Sequence, residues 1–230
     1  MSSVNLKKEV TIAKGRSKSY SWLASFYLFE PTHELLKTLL EPNLLKAFAL
    51  IFNEHYAKKA FLTLSSIANK NIEAIKDEFY SLYVVPLRGI YVPPYESCFR
   101  EKNGKEFGNL WGKTTEDVLK FYHKVGFEVF YPRYVFAPDH IGLELTFMSE
   151  LCSKEAKELK NGNISKAKEM KRIQLIFLRN HVLNWILDYA SKIENSQRSK
   201  FYKQVAFLTK SFIQKDYKFL SLLTQEIHHE

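Results

Sequence analysis

The chain has 230 residues, a net charge of +9, and a composition that is 46% hydrophobic and 15% aromatic. That length fits one domain or two tightly packed subdomains with an ample core, and no apolar run approaches the roughly 18 residues of a membrane span. Two cysteines, Cys98 and Cys152, make neither a disulfide framework nor a zinc set, and the N-terminus lacks the pattern of a secretory signal, so a reduced, cytoplasmic protein is expected.

Helical spacing dominates in chain order. HELLKTLLEPNLLKAFALIFNEHY, beginning at His33, places leucines and aromatics three and four residues apart, with Pro42 as a break near its middle. NIEAIKDEFYSLYVV repeats the spacing through Ile72, Ile75, Phe79 and Leu82. The next part is irregular. Pro86, Pro93, Pro94, Pro132 and Pro138 fall between 86 and 138, and each proline fixes its own φ and drives its predecessor out of the helical region. Residues 86–112 are therefore expected to form a long loop. Its Tyr91, Tyr95, Phe99, Phe107 and Trp111 suit a loop packed over a groove better than a solvated tail.

Helical patterns then resume. TTEDVLKFYHKVGF opens with Thr114 and Asp117 in a capping arrangement and stops at Gly126. FAPDHIGLELTFMSEL runs from a proline loop straight into an apolar helix. A long segment carries Ile173, Ile176, Phe177, Val182, Trp185, Ile186 and Tyr189 on an apolar stripe, and residues from Ser199 onward give one or two more helices. No section shows sustained two-residue alternation. The expected fold is all-α: a single globular domain of roughly 8–11 helices. Its halves are expected near 1–85 and 113–230, about a central loop at 86–112.

Known chemical motifs are missing or incomplete. The stretch GNLWGKTTED has three residues between Gly108 and Gly112 where a phosphate-binding loop needs four, and no apolar strand precedes it. A nucleotide-dependent switch or enzyme using the Gly112-Lys113-Thr114 turn is thus an alternative rather than the leading reading. A basic helical nucleic-acid regulator is a second alternative. However, the Lys and Arg residues are interspersed with polar and acidic ones, whereas a nucleic-acid footprint clusters its charge. Catalytic signatures are absent. The seven histidines are scattered, His228 and His229 lying at the C-terminus, so no metal site is expected. The polar feature that stands out is Asp139 and His140 at the mouth of an apolar helix. Asp139 is suited to cap that helix, and Glu144, four residues after His140, completes a polar cluster beside the aromatic loop.

Two stretches together carry a resemblance. YSLYVVPLRGIYVPPYESCF, followed some forty residues later by APDHIGLELTFMSEL, resembles the cytosolic redox-enzyme maturation chaperones. These include the assembly chaperones of trimethylamine-N-oxide, dimethyl-sulfoxide and nitrate reductases. The resemblance covers roughly residues 16–190, including RSKSYSWLASFYLFEPTHELLKTLL and the YSLYV segment at 80–84. It implies an all-helical, non-enzymatic protein without a cofactor of its own. The implied partners are the twin-arginine signal peptide and the apo catalytic subunit of a molybdenum-cofactor oxidoreductase, with export delayed until cofactor is inserted. It implicates Asp139 and His140 in peptide binding, with Tyr95 and Trp111 as loop extensions, and Pro138 and Glu144 of the same cluster are expected to join them. The long central loop leaves a monomer or a domain-exchanged dimer open. Ala137 stands where many members carry Glu, and Tyr83 where Phe is common. A cationic peptide also sits awkwardly with a +9 protein, unless Glu96, Glu116, Asp117, Asp139 and Glu144 converge.

Overall fold

Eleven α-helices carry the chain in the computed structural model, which describes residues 3–226 apart from Asn53 and Lys105. They are α1 (Ser3–Leu28), α2 (His33–Lys37), α3 (Pro42–Ala49), α4 (Glu54–Ala68), α5 (Ile72–Phe79) and α6 (Glu96–Arg100). The rest are α7 (Lys113–Lys124), α8 (Ile141–Lys160), α9 (Ile164–Asn180), α10 (Ile186–Glu194) and α11 (Phe201–Glu226). A π-helical turn, Tyr80–Val84, extends α5. Among the described residues there is no strand, only two isolated β-bridges. The fold is all-α, as the spacing predicts. His228 and His229 lie outside the described residues.

Local chemistry sets the boundaries. Pro42 stands at the start of α3, where its missing N–H costs nothing, so the expected break is a helix beginning. Thr32 and Asn71 cap α2 and α5 by accepting from Leu35 N and Ala74 N at 3.1 and 3.2 Å. Gly126, at φ 66°, ends α7 as predicted.

Helix α1 has no readable stripe in the sequence. Its second half buries Tyr20, Trp22, Leu23, Ala24, Phe26, Tyr27 and Leu28, which wrap all but the face of Lys18 and Ser21, so the apolar stripe is too broad to read as a period. It packs along α8 as the central pair of the fold, and α3, α9 and α11 close around them. One contiguous core runs from Tyr20 to Leu220.

A buried ionic cluster ties four of these helices together. Arg16 of α1 donates through Nε and Nη2 to both Asp216 oxygens of α11, at 2.6 and 2.9 Å, and through Nη1 to Glu155 of α8 at 3.0 Å. Gln174 of α9 accepts from Arg16 and donates to Glu155, and Tyr20 donates to Asp216 at 2.7 Å. Burial works against the Arg16 charge, but Asp216 and Glu155 hold its pKa well above normal.

Candidate functional site

The prolines of the central loop keep the backbone extended up to Tyr95, and there the chain meets the start of α8. Tyr95 and His140 form an antiparallel β-bridge. Ile141 N donates to Pro94 O and Glu96 N to Asp139 O, both at 2.9 Å. This one bridge launches two helices: α6 leaves from Glu96, and α8 leaves from Ile141.

The bridge redistributes the capping roles. Asp139 was expected to cap α8. Instead its Oδ2 accepts from Ser97 N at 2.8 Å, capping α6 across the junction. His140 caps α8: its Nδ1 accepts from Gly142 N at 3.1 Å. That role needs a neutral ring, and burial pushes the His140 pKa down to about 3. Gly142 is required beside it, because a Cβ there would lie 2.5 Å from Leu28 of α1.

Three carboxyl groups converge beneath this junction. Glu96, Asp139 and Glu144 are all fully buried. Glu96 accepts from Arg100 Nη1 at 2.6 Å and lies 3.0 Å from His181 Nδ1. Glu144 accepts from Trp185 Nε1 at 3.2 Å. Burial, then the charges of Glu96 and Asp139, raise the Glu144 pKa well above the usual carboxyl range, which favours its protonated form. Burial also raises the Asp139 pKa, against the pull of the Ser97 N–H. Asp139 Oδ1 has no hydrogen-bond partner among the described residues. Of the five acidic residues considered from the sequence, these three converge. Glu116 and Asp117 lie instead on the outer face of α7 beside Lys120, at 3.7 and 3.4 Å. Among the described residues no group of three or more His, Cys, Asp or Glu side chains has metal-binding geometry.

Five of the six residues singled out by sequence thus share one locus. Tyr95 is buried, its ring edge-on to His140 at 5.1 Å and its hydroxyl accepting from Phe136 N at 3.1 Å. Pro138 accepts from Tyr122 Oη at 3.2 Å. Pro138, Asp139, His140, Glu144 and Tyr95 are all buried and build the junction. Trp111 stands apart, 58% exposed and held at φ 65°, a left-handed backbone that a bulky residue adopts only under local strain.

The glycine turn also has a structural occupant. Gly112, not Thr114, is the N-cap of α7, and Glu101 reaches over from the end of α6 to accept from Thr114 N at 2.6 Å. A Cβ on Gly112 would collide with that carboxylate, and one on Gly108 with the Glu101 carbonyl. The helix N-terminus where a phosphate would sit therefore already holds the chain's own anion, which argues against the nucleotide reading.

A solvent-open groove lies next to the junction, and the sequence reading missed it. It has a volume of about 600 Å3 and runs between the end of α1, α8 and residues 126–132. Leu28, Phe29, Phe127, Phe130, Pro132 and Leu143 form its apolar lining; Glu128, Glu150 and Lys154 also border it. Phe130 is 79% exposed and Phe29 49% exposed. Leu143 joins groove to junction, three residues after His140. The groove's signal lies in GFEVFYPRYVFAPDH, where aromatics crowd a second proline loop beyond residues 86–112. His181 and Trp185, which partner the buried acids, carried no motif at all.

Residues 35–191, more than half of the chain, match the protein family described as nitrate reductase delta subunit. The matched region contains the junction, the acidic cluster and the loop and α8 walls of the groove. No helix among the described residues is long and apolar enough to cross a membrane. Matched over that span, the chain belongs to the nitrate reductase delta subunit family, whose members are molybdoenzyme assembly chaperones.

Proposed function

We propose that this chaperone binds the twin-arginine signal peptide of an apo molybdenum-cofactor oxidoreductase subunit in the cytoplasm, and holds it until cofactor is in place. The observation that carries the reading is the exposed apolar groove with Glu128 and Glu150 at its border. A signal peptide joins a cationic segment to an apolar one. The apolar segment lies against Phe29, Phe130 and Leu143, where aromatic side chains supply contact area at low entropic cost. The arginines turn toward Glu128 and Glu150. Asp139, His140 and Tyr95 serve the site from behind, fixing where α8 begins and hence where Leu143 points. The protein acts by binding, without turnover and with no cofactor of its own.

The test is calorimetric titration of the client's twin-arginine peptide into the wild type and into Phe130→Ser combined with Glu128→Lys. Both side chains are exposed, so folding should be unaffected. Loss of an aromatic anchor and reversal of a rim charge are each expected to cost about 1–2 kcal/mol of binding, together at least tenfold in Kd. Unchanged affinity would move the peptide elsewhere on the molecule.

A further inference from the structure

The +9 charge is not spread over the molecule. Residues 55–70 and 195–222 hold nine Lys and Arg residues and a single acid, Asp216, so these two segments account for eight of the nine net charges. Asp216 is buried against Arg16 and offers nothing to the surface.

The two segments fold against each other. Helices α4 and α11 pack together, with the rings of Tyr56 and Phe207 6.3 Å apart and Lys215 set over the Phe52 ring at 5.7 Å. The outer face of α4 presents His55, Lys58, Lys59, Leu62 and Ser66 at helical spacing along a shallow depression of about 630 Å3. A second depression of about 460 Å3 follows through Tyr56 to Gln214, Lys215 and Lys218 of α11. Lys58, Lys59, Lys203, Lys215 and Lys218 are exposed, and Lys210 is paired with Glu194 at 2.7 Å. Large apolar side chains are interleaved with them: Leu62 is 60% exposed, Phe207 40% and Leu222 54%.

We propose that the α4/α11 face docks on an anionic lipid bilayer. Exposed lysines gathered on one face repel one another in solution, and a surface of phosphate headgroups relieves that repulsion. Lysine stems lie along apolar surface while their ammonium groups reach the headgroups. Leu62, Phe207 and Leu222 supply the apolar contacts that an interfacial amphipathic helix makes at the acyl boundary. The chemistry favours lipid over nucleic acid, because the described lengths of α4 and α11 offer lysine and no arginine, whereas nucleic-acid sites draw on the bidentate arginine fork and stacking aromatics. The face shares no residue with the groove or the junction, so a chaperone lying on a bilayer by this face leaves its groove free.

The experiment is co-sedimentation of the full chain with vesicles of phosphatidylcholine containing phosphatidylglycerol, and with phosphatidylcholine alone. Binding is expected only to the anionic vesicles and is expected to fade as salt rises. Lys215→Glu combined with Lys218→Glu should weaken it at least about tenfold, and Leu62→Ser should weaken it severalfold at salt concentrations where steering is screened. Circular dichroism melts of the variants should match the wild type, since the side chains are exposed. Equal binding to neutral vesicles, no binding to anionic ones, or tighter binding to duplex DNA or polyglutamate at matched ionic strength would overturn the proposal.

Discussion

Around Arg16, one guanidinium meets two carboxylates and a glutamine, Tyr20 donates to one of those carboxylates, and every arm of the arginine is spent. Around Asp139, three carboxyl groups meet one arginine, a histidine and a tryptophan, and Asp139 Oδ1 is left without a partner among the described residues. Both clusters are buried, yet they follow different rules. With Lys171 of α9 3.7 Å from Glu155, the Arg16 cluster sets two cations against two carboxylates and fastens α1, α8, α9 and α11; its role is cohesion. The Asp139 cluster is acid-rich, and its burial favours the protonated form of Glu144. It sits where the family's Pro-Asp-His run meets the proline loop, next to the open groove. A saturated ionic network holds a scaffold, whereas acids kept buried without full pairing are a physical reason to look for function beside them.

The largest effect that separates the two clusters is expected from Arg16→Met. It strands Asp216 and Glu155 in the core, and an uncompensated buried charge costs about 3–5 kcal/mol. Urea unfolding monitored by fluorescence should show that loss; a change below about 1 kcal/mol would mean the cluster is not the clamp described.

The same conservative substitution should then divide the clusters. Glu155→Gln removes a charge that Arg16 uses, and should cost about 1.5–3 kcal/mol. Glu144→Gln replaces a group whose burial favours the protonated form, so stability at pH 7 should stay within about 1 kcal/mol of the wild type or rise. Equal losses at the two sites would erase the distinction.

Acid should act on the junction through His140. Its folded pKa, about 3, lies below its unfolded value, so the unfolded chain binds the extra proton and stability falls as pH falls from about 6.5 toward 3. Between pH 7 and pH 5 the expected loss from this residue is about 2 kcal/mol. Glu144 acts with the opposite sign, because its raised pKa favours the folded state at lower pH. His140→Asn keeps a capping side chain without the titration. Subtracting its pH profile from that of the wild type should leave the His140 slope; identical profiles would deny the buried neutral cap.

The smallest effect concerns the cap from Glu101 to α7. Glu101→Ala should cost about 1 kcal/mol, read as a modest fall in Tm, with peptide binding untouched.

What the sequence made legible follows from period and chemistry. Helices with one apolar stripe, such as α5 and α7, are visible because burial on one side leaves a 3.6-residue rhythm. Helix α1 is hidden because burial on all but one narrow face blurs that rhythm. The short α6 is hidden within the proline loop, since its five residues are too few to show a period and its cap comes from Asp139, more than forty residues away. Pro138, Asp139, His140, Glu144 and Tyr95 could be named together through the resemblance, but their burial could not. Whether an N-terminal carboxylate caps its own helix or a neighbour depends on a bridge between distant segments. Trp111 shows the converse: a loop aromatic can be fully visible in the sequence and still stand apart from the junction. The distribution of the +9 charge was equally out of reach, because α4 and α11 are far apart in the chain and only the fold sets them side by side.

The central claim, that the groove beside the acid-rich junction receives the peptide, is tested most directly by photocrosslinking. A twin-arginine peptide carrying a benzophenone in its apolar segment would be irradiated with the intact protein and the adducts mapped by mass spectrometry. The account predicts adducts on α1 near Phe29, on residues 127–132 and on α8 near Leu143. Adducts concentrated instead at Trp111 or on α4 and α11, with none at the groove, would contradict it.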